Sequence, residues 1–105
     1  MTTCRYAVVW SEERGPAYAG SLALDDAGLV LEGVTPSGPR ARRRLPYDRI
    51  RSVRVGRTPH ERIDRRPTLI VEDEARHELR LLTVEGPGVR GELEERIGSA
   101  VEGAR

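Results

Sequence analysis

At 105 residues and 11.7 kDa the chain holds enough material for one hydrophobic core, so residues 1–105 read as a single domain. Hydrophobic residues at 37% balance charged residues at 33%, which excludes a disordered charged tail, and the longest apolar run, Tyr6–Trp10, is too short for a membrane-spanning helix. The net charge of +1 conceals a partition: residues 1–36 sum to −3, residues 37–66 carry eleven Arg against three acids for +8, and residues 67–105 sum to −4.

In chain order, Cys4–Trp10 is β-branched and aromatic enough for a first strand, with Tyr6, Val8 and Trp10 on one face. Ser11–Pro16 reads as a polar turn. In Ala17–Leu24, Tyr18, Leu22 and Leu24 share one parity and small residues take the other, the pattern of a half-buried strand. Asp25-Asp26-Ala27-Gly28 is then a tight turn in which Gly28 can supply positive φ. Gly28–Val34 returns with Leu29 and Leu31 on the core side, and Thr35–Pro39 is a loop by its Pro and Gly content.

Arg40–Tyr47 and Arg51–Gly56 read as two further strands. Leu45, Tyr47, Val53 and Val55 are all odd-numbered, so a pairing of these strands around one core needs an odd-length connection such as Asp48-Arg49-Ile50. In that register Arg42, Arg44 and Arg54 point outward, while Arg43 points inward and must snorkel from an open end. Arg57–Pro67 is an Arg-rich loop with room for one irregular turn. Thr68–Glu72 and Arg76–Val84 form a final hairpin about Asp73-Glu74-Ala75, with Leu79 and Leu81 inward and Leu82 breaking the alternation. From Pro87 to about residue 103 the period changes: Val89, Leu93, Ile97, Ala100 and Val101 line one stripe of a helix that must dock on an open end of the sheet.

The expected fold is therefore mainly β: a seven-stranded antiparallel barrel or sandwich over residues 4–84, capped by one C-terminal helix. That order, with the stretch Leu45-Pro46-Tyr47-Asp48-Arg49-Ile50-Arg51-Ser52-Val53-Arg54-Val55, resembles pleckstrin-homology-like domains, including the bacterial and GRAM members. Another small β-barrel, or an α+β sheet with a terminal helix, fits the same order. Lipid-binding members of the family hold inositol phosphates with basic residues around the first two strands. Here Trp10–Ala19 offers Glu12 and Glu13 against Arg14, and the terminal helix lacks the Trp common in the family, so the resemblance implies the fold without that lipid site.

The single cysteine, Cys4, excludes a disulfide framework and a multi-thiolate zinc site. His60 and His77 have no metal-ligand spacing, and Asp25-Asp26 and Asp73-Glu74 fall at turns, where Asp caps backbone. No phosphate loop or nucleophile elbow is present, so the chain reads as a non-enzyme without cofactor or metal. Lys, Asn, Gln and Phe are absent and all eighteen basic residues are Arg, which points to a GC-rich bacterial genome. Abundance of Arg then carries no argument, but clustering does. Arg42, Arg44, Arg54 and Arg57 are the candidate contacts for a partner. A protein partner or self-association is the first expectation, and an anionic lipid surface or phosphorylated ligand is the alternative. The opposing reading is that acids of neighbouring strands, Glu72 and Glu78 among them, neutralise the patch within the fold. Nucleic acid is a remote third, given the near-zero net charge and few aromatics. The expected location is cytoplasmic, with peripheral membrane attachment as its variant.

Overall fold

A computed structural model of the chain describes residues 4–13 and 15–104; Arg14, counted above in the first connection, lies outside them. The described residues form β1 (Cys4–Glu12), β2 (Tyr18–Leu24), β3 (Gly28–Val34), β4 (Arg40–Pro46), β5 (Ile50–Val55), β6 (Leu69–Asp73), β7 (Glu78–Thr83) and α1 (Pro87–Gly103). Two 3-10 turns, Tyr47–Arg49 and Pro59–Glu61, interrupt the connections. All strands join one antiparallel sheet in the order β4-β3-β2-β1-β7-β6-β5.

Alternation decides which face closes. Val8, Trp10, Leu22, Leu24, Leu29, Leu31, Leu79 and Leu81 are buried on one side, as their parity requires. They share a single core with Leu45, Tyr47 and Ile50 from the far end of the sheet and with Leu93, Ile97 and Val101 of α1. A flat sheet could not bring β3 and β4 into the same core as β5 and β6, so the sheet curls into a half-barrel. The helix packs against β5, β7 and the 3-10 turn after β4, which covers the open side. Each large aliphatic side chain buried in this way contributes about 1.5–3 kcal/mol.

The expected pairing of the Arg40–Tyr47 and Arg51–Gly56 strands does not occur: β4 and β5 lie at opposite edges of the sheet. Their connection does hold three residues, and Leu45, Tyr47, Val53 and Val55 do face the core side. Parity governs which face a residue takes; it does not choose the neighbouring strand. Tyr47 makes that choice. Its buried ring is anchored when its hydroxyl donates to the Asp25 carbonyl at 2.8 Å and its N–H to the Ala27 carbonyl at 3.0 Å. The chain leaves β4 there and crosses to β6, where Ile50 is registered with Asp73.

Glycine matters here through close approach. Gly28 has no positive φ; the Asp25 carboxylate makes the turn by accepting from the N–H groups of Ala27 (2.8 Å) and Gly28 (2.9 Å). A Cβ at Gly28 would stand 2.4 Å from the Leu45 carbonyl oxygen of β4. Gly20 and Gly33 face each other across β2 and β3, and a Cβ on Gly33 would lie 3.1 Å from Trp10 Nε1. The indole crosses this gap, donates to the Glu32 carbonyl at 3.1 Å and stacks on Tyr18 with ring centroids 4.6 Å apart.

Leu82 breaks alternation because the sheet has a second apolar patch. Ile70 and Leu82 are both buried yet lie outside the main core, and Arg66 and Pro67 of the loop before β6 flank Leu82. That loop is more ordered than its composition suggests. Ile63 and Arg66 bridge around Asp64 and Arg65, which take positive φ of 51° and 61°. Among the described residues no helix is long and apolar enough to cross a membrane.

Candidate functional site

The basic block is met strand by strand from within the chain. Arg42 sits opposite Glu32 in the β3–β4 register, with Nε 3.6 Å from the Glu32 carboxylate. Arg43 reaches Glu12 on β1 at 2.5 Å, and Arg44 reaches Asp25 at 3.2 Å. On the other edge, Arg51 approaches Glu72 at 3.7 Å, and Arg54 contacts both Glu61 and, at 3.1 Å, Glu78. Glu72 and Glu78 are directly opposite in the β6–β7 register, a like-charge pair that weakens a hairpin unless cations relieve it. Arg51 and Arg54 supply that relief. Three of the four candidate contacts, Arg42, Arg44 and Arg54, are thus held by carboxylates of the flanking acidic thirds or of the adjoining loop.

Arg57 differs. Its backbone N–H donates to Glu61, but no ion-pair partner for its guanidinium occurs among the described residues. The same holds for Arg62, Arg65 and Arg66 of this loop. Of the six arginines of the block without an ion-pair partner among the described residues, four therefore lie between β5 and β6; the others are Arg40 on β4 and Arg49 in the turn after it. The structure separates the expected row: Arg42 and Arg44 stand on β4, while Arg54 and Arg57 belong to the opposite edge.

Beside Arg54 and Arg57 runs an open groove of about 730 Å³. Its lining is Val53, Arg54, Val55 and Gly56 of β5 and its exit, Arg57 and Arg62 of the loop, and Glu94 of α1. Because β5 ends the strand order, one whole side of its backbone lacks a sheet partner among the described residues. The groove therefore combines an unpaired strand edge, half-buried valines, one acid and two arginines without a carboxylate partner among the described residues. Glu61 sits on Arg54 at the groove's margin. The Arg54 guanidinium first, then the N–H groups of Arg57 and Thr58, hold its carboxyl down at about 2, and the same contact raises the pKa of Arg54.

Two other depressions lack that combination. One of about 590 Å³ on β2–β4 is floored by Ala19, Gly20, Ser21 and Gly33; of its two arginines Arg42 is paired with Glu32, and Arg40 alone has no ion-pair partner among the described residues. Another of about 500 Å³ lies around Cys4, Asp25, Asp26, Glu92 and Glu95, where Arg96 donates to both Cys4 Sγ (3.0 Å) and Glu92 (2.9 Å). His77 approaches Asp73 at 3.5 Å, and His60 is exposed on the 3-10 turn. Among the described residues no three His, Cys, Asp or Glu side chains form a metal-binding group.

No protein-family model matches the sequence, and no curated protein matches it. Function has to be argued from the groove itself. Sequence reasoning found Arg54 and Arg57 but missed Glu61, Arg62, Glu94 and the edge position of β5. One signal was available: Thr58-Pro59-His60-Glu61 has the spacing of a capping box, which places the Glu61 carboxylate on the backbone of residue 58.

Proposed function

We propose that this chain is a non-catalytic protein-binding module of pleckstrin-homology-like fold, and that it takes an extended acidic segment along the β5 edge. The strand order and the helix laid over the open side support the fold assignment. The observation that carries the function is the free edge of β5 next to Arg57 and Arg62, two guanidiniums without a carboxylate partner among the described residues. An added strand satisfies the edge backbone, and each such hydrogen bond is worth about 0.5–1.5 kcal/mol net. Acidic side chains give the segment its selectivity, because a basic rim steers oppositely charged partners and repels others.

The test is an amide-shift titration with a valine–glutamate alternating peptide of about eight residues, a length matched to one edge strand. Expected are shifts confined to β5 and the Arg57–Arg62 segment, weakening steeply between about 20 and 500 mM salt. Arg57→Glu with Arg62→Glu reduces affinity about tenfold or more. Shifts centred on β4, or none at all, overturn the reading. Sedimentation with anionic but not neutral vesicles, in place of peptide binding, favours a lipid surface instead.

A further inference from the structure

We infer that Glu61 is a built-in competitor for the groove, seated on Arg54 in the free protein and replaced there by an acidic side chain of the bound segment. This rests on the peptide reading of the groove. One Glu61 oxygen contacts the Arg54 guanidinium. The other accepts from the N–H of Arg57 at 3.1 Å and from the N–H and hydroxyl of Thr58, each at 3.3 Å. Donors from the end and the exit of the edge strand thus converge on one carboxylate that belongs to the following loop.

The fit is close. A Cβ on Gly56 would stand 2.9 Å from the Glu61 Cβ, so the loop lies directly against the end of β5. Tethering within a few residues gives Glu61 a high effective concentration against any free carboxylate. The exchange gives up the hydrogen bonds of Glu61 to Arg57 and Thr58 but is offset at both ends. Arg54 stays oriented by Glu78 at 3.1 Å when Glu61 leaves, and the released carboxylate finds Arg57 or Arg62 nearby, neither of which has an ion-pair partner among the described residues. Arg54 is then the position that selects a carboxylate in the incoming strand. A neutral strand gains nothing by displacing Glu61.

The experiment measures binding of the labelled valine–glutamate peptide and of a valine–threonine peptide to wild type, Glu61→Gln, Glu61→Ala and the double variant Arg54→Met/Glu61→Gln. If Glu61 is seated about nine-tenths of the time, both single variants tighten the acidic peptide about tenfold. The neutral peptide is unchanged, and the double variant loses the gain. Equal tightening of both peptides means that the loop merely opened, and overturns the competition. Unchanged or weaker acidic binding, with β5 shifts still present in the wild type, overturns it too and leaves the groove standing. Absence of β5 shifts in every variant removes both the competition and the groove.

Discussion

Arg43 and Glu12 meet on the core side of the sheet, Nε to Oε1 at 2.5 Å, although two whole strands separate β4 from β1. Arg43 is the one arginine of its run whose parity points inward, and Glu12 ends β1 with inward parity. They meet at an open end of the half-barrel, where Arg43, Glu12, Asp73, His77 and Glu78 line a small cleft. The guanidinium keeps water while its stem covers the core rim.

This clasp is expected to contribute modestly, because its side chains remain 42% and 48% exposed. Arg43→Met and Glu12→Gln each lower stability by about 0.5–1 kcal/mol, with a coupling of similar size in the double variant. Urea unfolding with unchanged slope checks it. A coupling that survives 1 M salt undiminished, where screening reaches ~3 Å, contradicts a screened surface pair.

Gly28→Ala is expected to be far worse than a strand Gly→Ala change usually is. The new Cβ has the Leu45 carbonyl at 2.4 Å and the Pro46 Cα at 2.8 Å, both backbone atoms that cannot rotate away. We expect a loss of about 2–4 kcal/mol, read as a fall in thermal midpoint. A neutral outcome means that β3 and β4 are further apart than described.

Ile97 is fully buried where α1 meets the half-barrel. Ile97→Ala removes part of the helix's docking stripe and costs about 2–5 kcal/mol. Because α1 also walls the groove through Glu94, peptide affinity falls with it. Calorimetry and the peptide titration report the two effects separately.

Acid weakens the fold through Glu61. Its folded pKa of about 2 lies below the ordinary 4.5, so the unfolded chain binds more protons and stability rises with pH across that interval. The contribution is complete above the unfolded value and disappears as pH falls through the folded one. Asp25 acts in the same direction, held low by the N–H groups of Ala27 and Gly28 and then by Arg44. Urea midpoints should drop on acidification through this window, and Glu61→Gln should flatten the drop. An equally steep acid limb in the variant assigns the effect to other carboxylates.

Much of the architecture was legible because one-sided burial writes itself into parity and period. The bounds of β3 and the helix from Pro87 to Gly103 coincide with the expected ones, and Leu93, Ile97 and Val101 are the buried stripe. What sequence could not supply was long-range choice. The register that pairs their two strands puts Arg44 and Arg54 on one outward face; they sit on opposite edges because a buried tyrosine and its hydroxyl turn the chain off β4. Neither Gly20 nor Gly33 carries a local sign that the indole of Trp10 fills the space they leave; only the pairing of β2 with β3 brings the three together. The site was half visible: clustering marked the basic block, but only tertiary contacts showed which arginines were already paired.

An open sheet invites polymerisation, since it has two places where another copy of the chain can add head to tail without end. Here the two ends of the sheet are β4, with Arg40, Arg42 and Arg44 on its outer face, and β5, with Arg54 on its outer face and Arg57 just beyond it. Joining one end to the other would bring Arg40 and Arg57, neither with an ion-pair partner among the described residues, to one seam. If the edges behave as this charge distribution predicts, the segregated charge that first marked the middle of the sequence would also act against fibre growth, disfavouring a second copy at the edge more than an acidic strand.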